Sequence, residues 1–520
     1  MTLHLSYVAL LAVGVFVIHR LFEVRRRLKA GPNVDGDILL IDPDLRLPLP
    51  DWKWCSRNSS WSLTVKHSRH AAAGSDNDIV YRAVLFPFAK VTYMLADPVA
   101  VKEVGARRQT FHTPAEVITL MKPFGHPSIL TSEGELHKRQ RRAIAPAFSD
   151  RNMELVWSEA VRVVLELFKT DDWDGRSTVM IENITSLTTQ MTLHVITGCG
   201  FGHEWSWKQN SMVSAGGRMR FQDAIQILAY QPWVKLIIPR WMAWFKQSWA
   251  EVHVAFDELQ VAFGEMIAHR RSGHLRLDRQ DLLSGLIAAE ERSECDKMRI
   301  TEQEIISNCI VLLLGGYETS AHALAFLLGE LAADPEKQEK VYAEILANVS
   351  TDGVPPSYKD MHKFPLVLAT FHEALRLWPI STNFLKATVQ DTVLPTANGR
   401  SHLIPKGSLI EQSLTALHYN PKYWSDAEAF KPERFLEPDC PRDAFVAFST
   451  GPRACIGRRF AETEVVAFVV ALLMRYRIEV PDNPQWGTLS PQDIRKKLLD
   501  AKMGLTYYPR HAPLVFVVRT

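Results

Sequence analysis

The sequence predicts a mainly α-helical fold with small β-sheets, and two kinds of pattern carry that prediction. Apolar residues recur with the helical period of 3.6 in the segments 153–168, 249–271, 303–333 and 363–377. Strand-like alternation occurs at 79–95 and again at 513–518, near the end of the chain. We therefore expect helices to dominate between two strand-forming regions.

The first segment in chain order predicts a membrane anchor. Residues 3–19 hold no acidic residue, lysine or arginine and are mostly apolar, and Arg20, residues 25–27 and Lys29 supply a basic flank. This length is at the lower limit for spanning a bilayer, and no small-residue cleavage site follows it. We expect a retained single-pass anchor at 1–24, a basic and proline-containing linker at 25–55, and the rest of the chain in the cytosol. A buried core helix is the alternative.

Near the C-terminal end, Cys455 lies in a frame that favours a haem-iron ligand. Phe448, Gly451 and Gly457 surround it in the spacing Phe-x-x-Gly-x-x-x-Cys-x-Gly. A ligating sulfur must be a thiolate, and glycines with positive φ would let backbone N–H groups approach it closely. Arg453 offers a cation for a haem propionate, and the helix predicted at 458–475 would point its N-terminus at the sulfur. The alternative is a small buried apolar cysteine.

This frame resembles the haem-binding sequence of the cytochrome P-450 family of haem-thiolate monooxygenases. The resemblance runs from about residue 80 to the C-terminus and implies the cytochrome P-450 fold, with one catalytic domain at 56–520 after the membrane helix. It implies haem b with Cys455 as the axial ligand, contacted by Phe448, Arg453 and Gly457.

A second part of the resemblance is structural. Glu373 and Arg376 share one helical face at i and i+3, and Arg434 lies in the run Phe-Lys-Pro-Glu-Arg-Phe at 430–435. Alone, such a pair is more often a surface salt bridge. The resemblance implies that the three form one partly buried network that supports the haem without taking part in catalysis.

A third part is the run Gly-Gly-Tyr-Glu-Thr at 315–319, inside a helix expected from Thr301 or Glu302 to Asp334. Two glycines cost about 1 kcal/mol each there, so the space they leave should serve a purpose. The resemblance implies that Gly316 borders the haem and that Glu318 and Thr319 deliver protons during oxygen activation. The alternative is a Gly-Gly pair that lets another helix cross closely.

The helix expected at 134–142 carries further candidates. His137 and Arg141 share a face and can both reach haem propionates, although many family members have tryptophan at the position of His137. A solvated basic face is predicted for Lys138, Arg139 and Arg142. Together with Arg458 and Arg459, this face would suit an acidic redox partner. Lys386 stands near a position that often carries a propionate-binding arginine.

Composition limits the ligands and partners that the protein is expected to bind. The net charge of +2 implies no nucleic-acid binding, and 47% hydrophobic residues suit a large globular enzyme. Cysteines at 55, 199, 295, 309, 440 and 455 are scattered without paired metal spacing, which suits reduced thiols and makes zinc an unfavourable reading.

The resemblance implies a monooxygenase that inserts one oxygen atom from O2 into a C–H bond of a lipophilic substrate. Electrons would come from NADPH through a separate membrane-bound cytochrome reductase, with cytochrome b5 as an additional donor, at the endoplasmic reticulum membrane. The stretch 424–460 is similar to fungal members, which favours a terpenoid or other secondary metabolite. Pocket candidates are the covering loop at 112–130 with Ile129 and Leu130, then Leu312, Gly316, Ile380, Ser381, Thr382 and Asn383. Alternatives are a haem-thiolate isomerase or dehydratase that needs no O2, and a membrane haem or sterol binder without turnover.

Overall fold

The computed structural model describes residues 2–31, 34–41, 63, 66–72, 78–86, 89–170, 173–202, 207, 219–272, 281–291, 299–350, 354–482 and 489–519. These fall into two compact units. The first unit comprises Met1–Pro114, Ser381–Ala429 and Pro441–Cys455, and the second comprises Ala115–Ile380, Phe430–Cys440 and Ile456–Thr520. Each unit thus combines distant parts of the sequence. Most of the expected linker, with Cys55, and also Cys295 lie outside the described residues.

The elements carry the following bounds. Helices α1 to α17 are Thr2–Ala30, Ser68–Ala72, Pro98–Ala106, Ala115–Met121, Gly134–Ile144, Asp150–Thr170, Ile184–Phe201, Phe221–Tyr230, Pro232–Ile237, Gln247–Arg271, Leu282–Glu291, Glu302–Ala333, Pro335–Asn348, Pro365–Leu377, Leu414–His418, Arg458–Leu473 and Pro491–Leu498. Strands β1 to β13 are Gly36–Ile41, Ile79–Phe86, Lys90–Leu95, Phe111–His112, Thr178–Ile181, Asn383–Thr388, Thr392–Pro395, Ser401–Ile404, Leu409–Ser413, Tyr476–Glu479, Ala501–Met503, Tyr507–Pro509 and Leu514–Val518. The prediction of a mainly α fold with small sheets is confirmed.

The first unit is built around a six-stranded sheet of order β1-β2-β3-β9-β6-β4, beside the β7-β8 hairpin. β2 and β3 form the strand pair expected at 79–95, and Ile79 lies opposite Leu95. β1 pairs with β2 in parallel, with Ile38 opposite Ala83. The fold therefore begins within the segment expected to be a linker, well before residue 56.

Helix α1 also extends past the expected end of the anchor at residue 24. It continues to Ala30, and Glu23 accepts hydrogen bonds from Arg20 at 3.2 Å and Arg27 at 2.9 Å. Pairs at i, i+3 and i, i+4 stabilise a helix, so the basic flank prolongs the helix here.

The second unit is organised around the long helix α12. Thr301 caps its start: the Thr301 hydroxyl accepts from the backbone N–H of Glu304, and the Glu304 carboxylate accepts from the backbone N–H of Thr301. The helix ends at Ala333, before Asp334 and Pro335, as the sequence predicts. Among the described residues α12 is the helix whose length and composition would allow it to cross a membrane, but 72% of its apolar window is buried within the protein. Helix α12 is therefore a core helix.

The other long predicted helices of this unit are confirmed as α6, α10, α14 and α16. The segment at 112–130 differs from its expected loop, because α4 occupies Ala115–Met121 and a 3-10 turn follows at Lys122–Phe124. No residue of α4 is buried. A helix without a buried face leaves no apolar period in the sequence, which explains why periodicity did not predict it.

Candidate active site

The loop that carries Cys455 closes on itself within the first unit. The backbone N–H of Cys455 donates to the carbonyl of Phe448 at 2.8 Å, and that of Ala454 donates to Gly451 at 2.9 Å. Gly451 has φ +70°, and a Cβ there would collide with the carbonyl oxygen of Gly105 in α3. The turn therefore requires glycine at 451 both for its backbone angle and for its close approach to α3.

Cys455 differs in its surroundings from the other described cysteines. Cys199 and Cys309 are buried and Cys440 is half-buried, whereas Cys455 is exposed. Burial raises the pKa of the Cys309 thiol, which makes that group inert. An accessible sulfur on a tight loop fits a ligand to haem iron, and the alternative of a buried apolar Cys455 is wrong.

Gly457 takes a different role from the one expected. Its φ is −88°, so the expected positive φ is wrong, and Gly457 is the N-cap residue of α16. The helix begins at Arg458, three residues after Cys455. Arg453 lies half-buried on the 3-10 turn Gly451–Arg453, and the ring of Phe448 packs edge-on against Phe445 with centroids 6.5 Å apart.

In the second unit, α12 is open to solvent around the Gly-Gly-Tyr-Glu-Thr run. Gly315 is exposed, and a Cβ there would meet open space among the described residues. The Thr319 hydroxyl, on the same face, donates to the carbonyl of Gly315 at 2.7 Å. A Cβ at Gly316 would instead lie 3.0 Å from Cδ1 of Ile196 in α7. Gly316 therefore allows close packing against α7, as the alternative interpretation of the Gly-Gly pair expected. Gly315 and Thr319 lie on the open side of α12.

Glu318 is buried on the other side of α12. Its Oε1 accepts two hydrogen bonds from Thr506, one from the hydroxyl at 2.9 Å and one from the backbone N–H at 3.2 Å. Its Oε2 is buried and has no hydrogen-bond partner among the described residues. Burial raises the pKa of Glu318 to about 7, although the hydrogen bonds from Thr506 lower it. The carboxyl is therefore poised to hold or release a proton near neutral pH.

Two residues beside Glu318, Thr506 and His322, were not predicted from the sequence. Thr506 lies in the turn between β11 and β12, and its hydroxyl is 2.6 Å from Nδ1 of His322. His322 follows Glu318 by four residues and so shares its helical face, which was a signal available in the sequence. Thr506 stands 188 residues further along the chain, and no local pattern marks it.

Another buried acid, Glu464 of α16, also escaped prediction. Its side chain is fully buried, burial raises its pKa well above the ordinary value, and neither carboxyl oxygen has a hydrogen-bond partner among the described residues. Burial therefore favours the neutral form of this carboxyl.

The charged scaffold predicted around Glu373 is confirmed. Arg376 donates from Nε to Oε2 of Glu373 at 2.7 Å and from Nη2 to Oε1 at 2.8 Å. Arg434 donates from Nε to Oε1 at 3.1 Å. Glu373 and Arg376 are fully buried and Arg434 nearly so, which makes the network more buried than expected and excludes a surface salt bridge.

Helix α5 covers the expected third helix, with His137 buried and Arg141 half-buried, four residues apart. Arg139 is not part of a solvated face, because it forms an ion pair with the buried Glu304. Lys138 forms an exposed pair with Glu135.

The loop that contains Ile129 is attached to α12. The backbone N–H of Ile129 donates to Oδ1 of Asn308 at 2.8 Å. The amide of Asn308 also contacts Gln140 of α5, and Gln140 donates to Glu304 at 2.8 Å. A buried polar network therefore connects this loop with α5 and α12 inside the second unit.

Comparison with known proteins agrees with these features. The family described as Cytochrome P450 matches residues 81–500. "Cytochrome P450 monooxygenase 124" of Postia placenta is 38% identical over 450 residues, which cover 85% of this chain and 86% of that protein. The "Phomenoic acid biosynthesis cluster cytochrome P450 monooxygenase" of Leptosphaeria maculans is 25% identical over 457 residues, 79% of this chain and 77% of that protein. A crystal structure of a cytochrome P450 superposes with a TM-score of 0.68 at 22% identity, over 87% of this chain and 93% of that chain, and shows the shared fold.

The chain therefore belongs to the cytochrome P450 family and is of the eukaryotic type. It is an oxidoreductase of the monooxygenase class, and its family implies a haem-thiolate cofactor.

Proposed function

We propose that the chain uses haem b bound through Cys455 to insert one oxygen atom from O2 into a C–H bond of a lipophilic substrate. The bound haem would supply the oxidising power. Phe448, Arg453 and Gly457 on the cysteine loop and beside it, and His137 and Arg141 on α5, are the residues that would hold the haem. The exposed thiol of Cys455 and the close-packed turn at Gly451 support this assignment.

The observation that carries the proposal is the arrangement at Glu318 and Thr319. Because the Thr319 hydroxyl gives its hydrogen to the Gly315 carbonyl, its oxygen lone pairs are left to accept a hydrogen bond on the open side of α12. Glu318 keeps a proton near neutral pH in a buried position beside it. A buried proton donor and an oriented acceptor on adjacent residues of one helix suit a reaction that consumes protons, although the two side chains lie on different faces of α12, and an isomerase or a haem or sterol binder has no need of them.

The substrate and its pathway form the finer part of the proposal. Among the pocket candidates, Ile129, Leu130, Leu312, Gly316 and Ile380 belong to the second unit, and most of these five are apolar, which suits a lipophilic molecule. A Cβ at Gly316 would point at Ile196, so Gly316 would offer only its backbone to the pocket. The relative named for a phomenoic acid biosynthesis cluster supports a secondary metabolite as substrate, with terpenoids as the class to test first.

Electrons would come from NADPH through a separate membrane-bound cytochrome reductase, with cytochrome b5 as a further donor. The helix α1 would anchor the chain in the endoplasmic reticulum membrane with the catalytic region in the cytosol. Exposed apolar side chains on α1 support this: Val15, Phe16, Ile18 and Phe22 lie between 42% and 70% exposed. Without lipid acyl chains around them, these apolar side chains would be exposed to water, which is unfavourable in free energy.

The ligand is tested with two cysteine variants. Cys455→Ala should abolish the thiolate-type carbon monoxide spectrum of the reduced, haem-loaded protein, because alanine supplies no axial sulfur. The half-buried Cys440 is the matched control, and Cys440→Ala should keep the spectrum. A thiolate-type spectrum that persists in Cys455→Ala would overturn the assignment.

The reaction class is tested with purified protein, NADPH and a cytochrome P450 reductase. Terpenoids are screened first for an optical shift of the haem, and O2 uptake, peroxide and product are measured with any that bind. Thr319→Ala should divert consumed O2 from product to peroxide, while Thr319→Ser should keep the wild-type ratio. Product formed without O2 uptake would favour an isomerase or dehydratase, and full activity with NADPH alone would exclude the need for a reductase.

A further inference from the structure

The turn between β11 and β12 brings a hydroxyl to the buried acid of α12. Tyr507 donates from its backbone N–H to the carbonyl of Ile380 at 3.1 Å, and Gly504 donates to the carbonyl of Thr506 at 2.9 Å. These two bonds fix the turn at both its tip and its exit. Thr506 is thereby held where its side chain and its backbone N–H both point at Oε1 of Glu318.

The Thr506 hydroxyl lies between His322 and Glu318 and contacts both. A hydroxyl has one hydrogen, and at Thr506 it lies between Oε1 of Glu318 at 2.9 Å and Nδ1 of His322 at 2.6 Å. Burial lowers the pKa of His322 to about 3, so the ring is neutral and carries one N–H. With that hydrogen on Nδ1, the ring donates to Thr506 and Thr506 donates to Glu318. Both hydrogen bonds then point toward the Glu318 carboxyl.

This arrangement makes the two oxygens of Glu318 different. Oε1 receives both hydrogen bonds, so it is the oxygen that stays unprotonated. Oε2 is buried without a partner among the described residues and is the oxygen on which a proton can remain. A carboxyl held in this way offers its acidic hydrogen from one defined oxygen.

We infer that His322 and Thr506 are positioning residues for Glu318, forming the chain His322 Nδ1–H to Thr506 Oγ1–H to Glu318 Oε1, which leaves Oε2–H as the proton donor. This inference rests on the proposed function for its part in catalysis. When the Oε2–H bond breaks, the proton passes to a water or hydroxyl oxygen and the electron pair stays on the carboxylate. The two donors on Thr506 stabilise that carboxylate, and a proton from solvent later restores the acid.

Among the described residues, the groups around these three do not compete for hydrogen bonds with Glu318, Thr506 or His322. The ring of Tyr508 lies against His322 with centroids 5.1 Å apart and shields it from water. On α17, Arg495 binds both oxygens of Glu330 and so is engaged elsewhere on α12. From α7, Thr192 donates to the carbonyl of Tyr317 at 3.0 Å. From α16, Glu464 is fully buried, and its carboxyl oxygens have no hydrogen-bond partner among the described residues.

The test follows the Glu318 carboxyl directly, by infrared difference spectra of the haem-loaded resting protein across neutral pH. The carboxylic acid C=O band assigned to Glu318 is the one that Glu318→Gln removes. Thr506→Val keeps the shape and the backbone N–H but removes the hydroxyl, so it should raise the titration midpoint by about 1 to 2 pH units, the effect of one hydrogen bond to a charged group. Thr506→Ser restores the hydroxyl and should titrate as the wild type does. His322→Phe should shift the midpoint in the same direction as Thr506→Val.

The outcomes separate this inference from the proposed function. An unchanged midpoint in Thr506→Val, or the absence of a Glu318 band in the wild type, would overturn the inference. If Thr506→Val fails to fold, as judged by the carbon monoxide spectrum, Thr506→Ala serves for the same measurement. Because the titration needs no turnover, it stands even if the Thr319 experiment disproves monooxygenation.

Discussion

Replacing Glu318 with glutamine should change how stability depends on pH. A glutamate carboxyl ordinarily titrates at 4.5, and burial raises the pKa of Glu318 to about 7. Between these values the folded protein keeps a proton that the unfolded chain has released. The carboxyl therefore contributes stability that is fully present below pH 4.5 and is lost as the pH rises through about 7.

The size of the effect follows from the same two values. A difference of about 2.5 pKa units corresponds to about 3 kcal/mol, since one unit is about 1.4 kcal/mol. Glutamine has no proton to lose and can still accept the hydrogen bonds of Thr506. Relative to the wild type, Glu318→Gln should therefore gain about 3 kcal/mol in unfolding free energy between pH 4.5 and just above pH 7.

Urea unfolding of the haem-loaded protein at several pH values within this window measures the difference. Other groups that titrate on unfolding, including the haem ligand, cancel when the variant is subtracted from the wild type. Glu265 on α10 is exposed, and Glu265→Gln controls for the removal of a negative charge. A difference between Glu318→Gln and the wild type that stays constant with pH would refute the reasoning, because Glu318 would then titrate alike in both states.

Three further predictions concern the scaffold. Gly315→Ala should be tolerated and stabilise α12 by up to about 1 kcal/mol, because a methyl group there enters open space. Gly316→Ala should cost about 1 to 3 kcal/mol by crowding Ile196, and adding Ile196→Val to that variant should recover most of the loss, as thermal unfolding of the wild type and these variants would reveal. Glu373→Gln should cost about 3 to 5 kcal/mol, because two guanidinium groups would remain buried without a carboxylate. Urea unfolding checks this value, and a loss below 1 kcal/mol would mean that the network is dispensable.

Short-range features of this protein could be predicted from the sequence. The capping of α12 at Thr301, the ends of the long helices and the positive φ of Gly451 all depend on residues within a few positions of one another. The pairing of Glu373 with Arg376 is equally local, at i and i+3. In each case the residues that decide the conformation are neighbours, so the pattern is visible in the sequence.

Other features depend on partners far along the chain and could not be predicted. Arg139 looked solvated because its partner Glu304 lies 165 residues away. Thr506 reaches Glu318 across 188 residues through a turn that no motif marks. Two local features were missed for other reasons: α4 has no buried face and so no apolar period, and Gly457 is the N-cap residue of α16 and has a negative φ.

The two faces of α12 explain why an acid and an alcohol stand side by side at Glu318 and Thr319. Consecutive residues of a helix point about 100° apart, so Thr319 shares the open face of Gly315 while Glu318 shares the buried face of His322. The buried face raises the pKa of the acid, and the open face would give the alcohol access to a reacting molecule. If Glu318 supplies the proton as proposed, that proton would have to travel around the helix from the closed side to the open side. The absence of a side chain at Gly315 leaves that side clear, and this is the reason we expect Gly315→Ala to fold well and yet to obstruct the reaction.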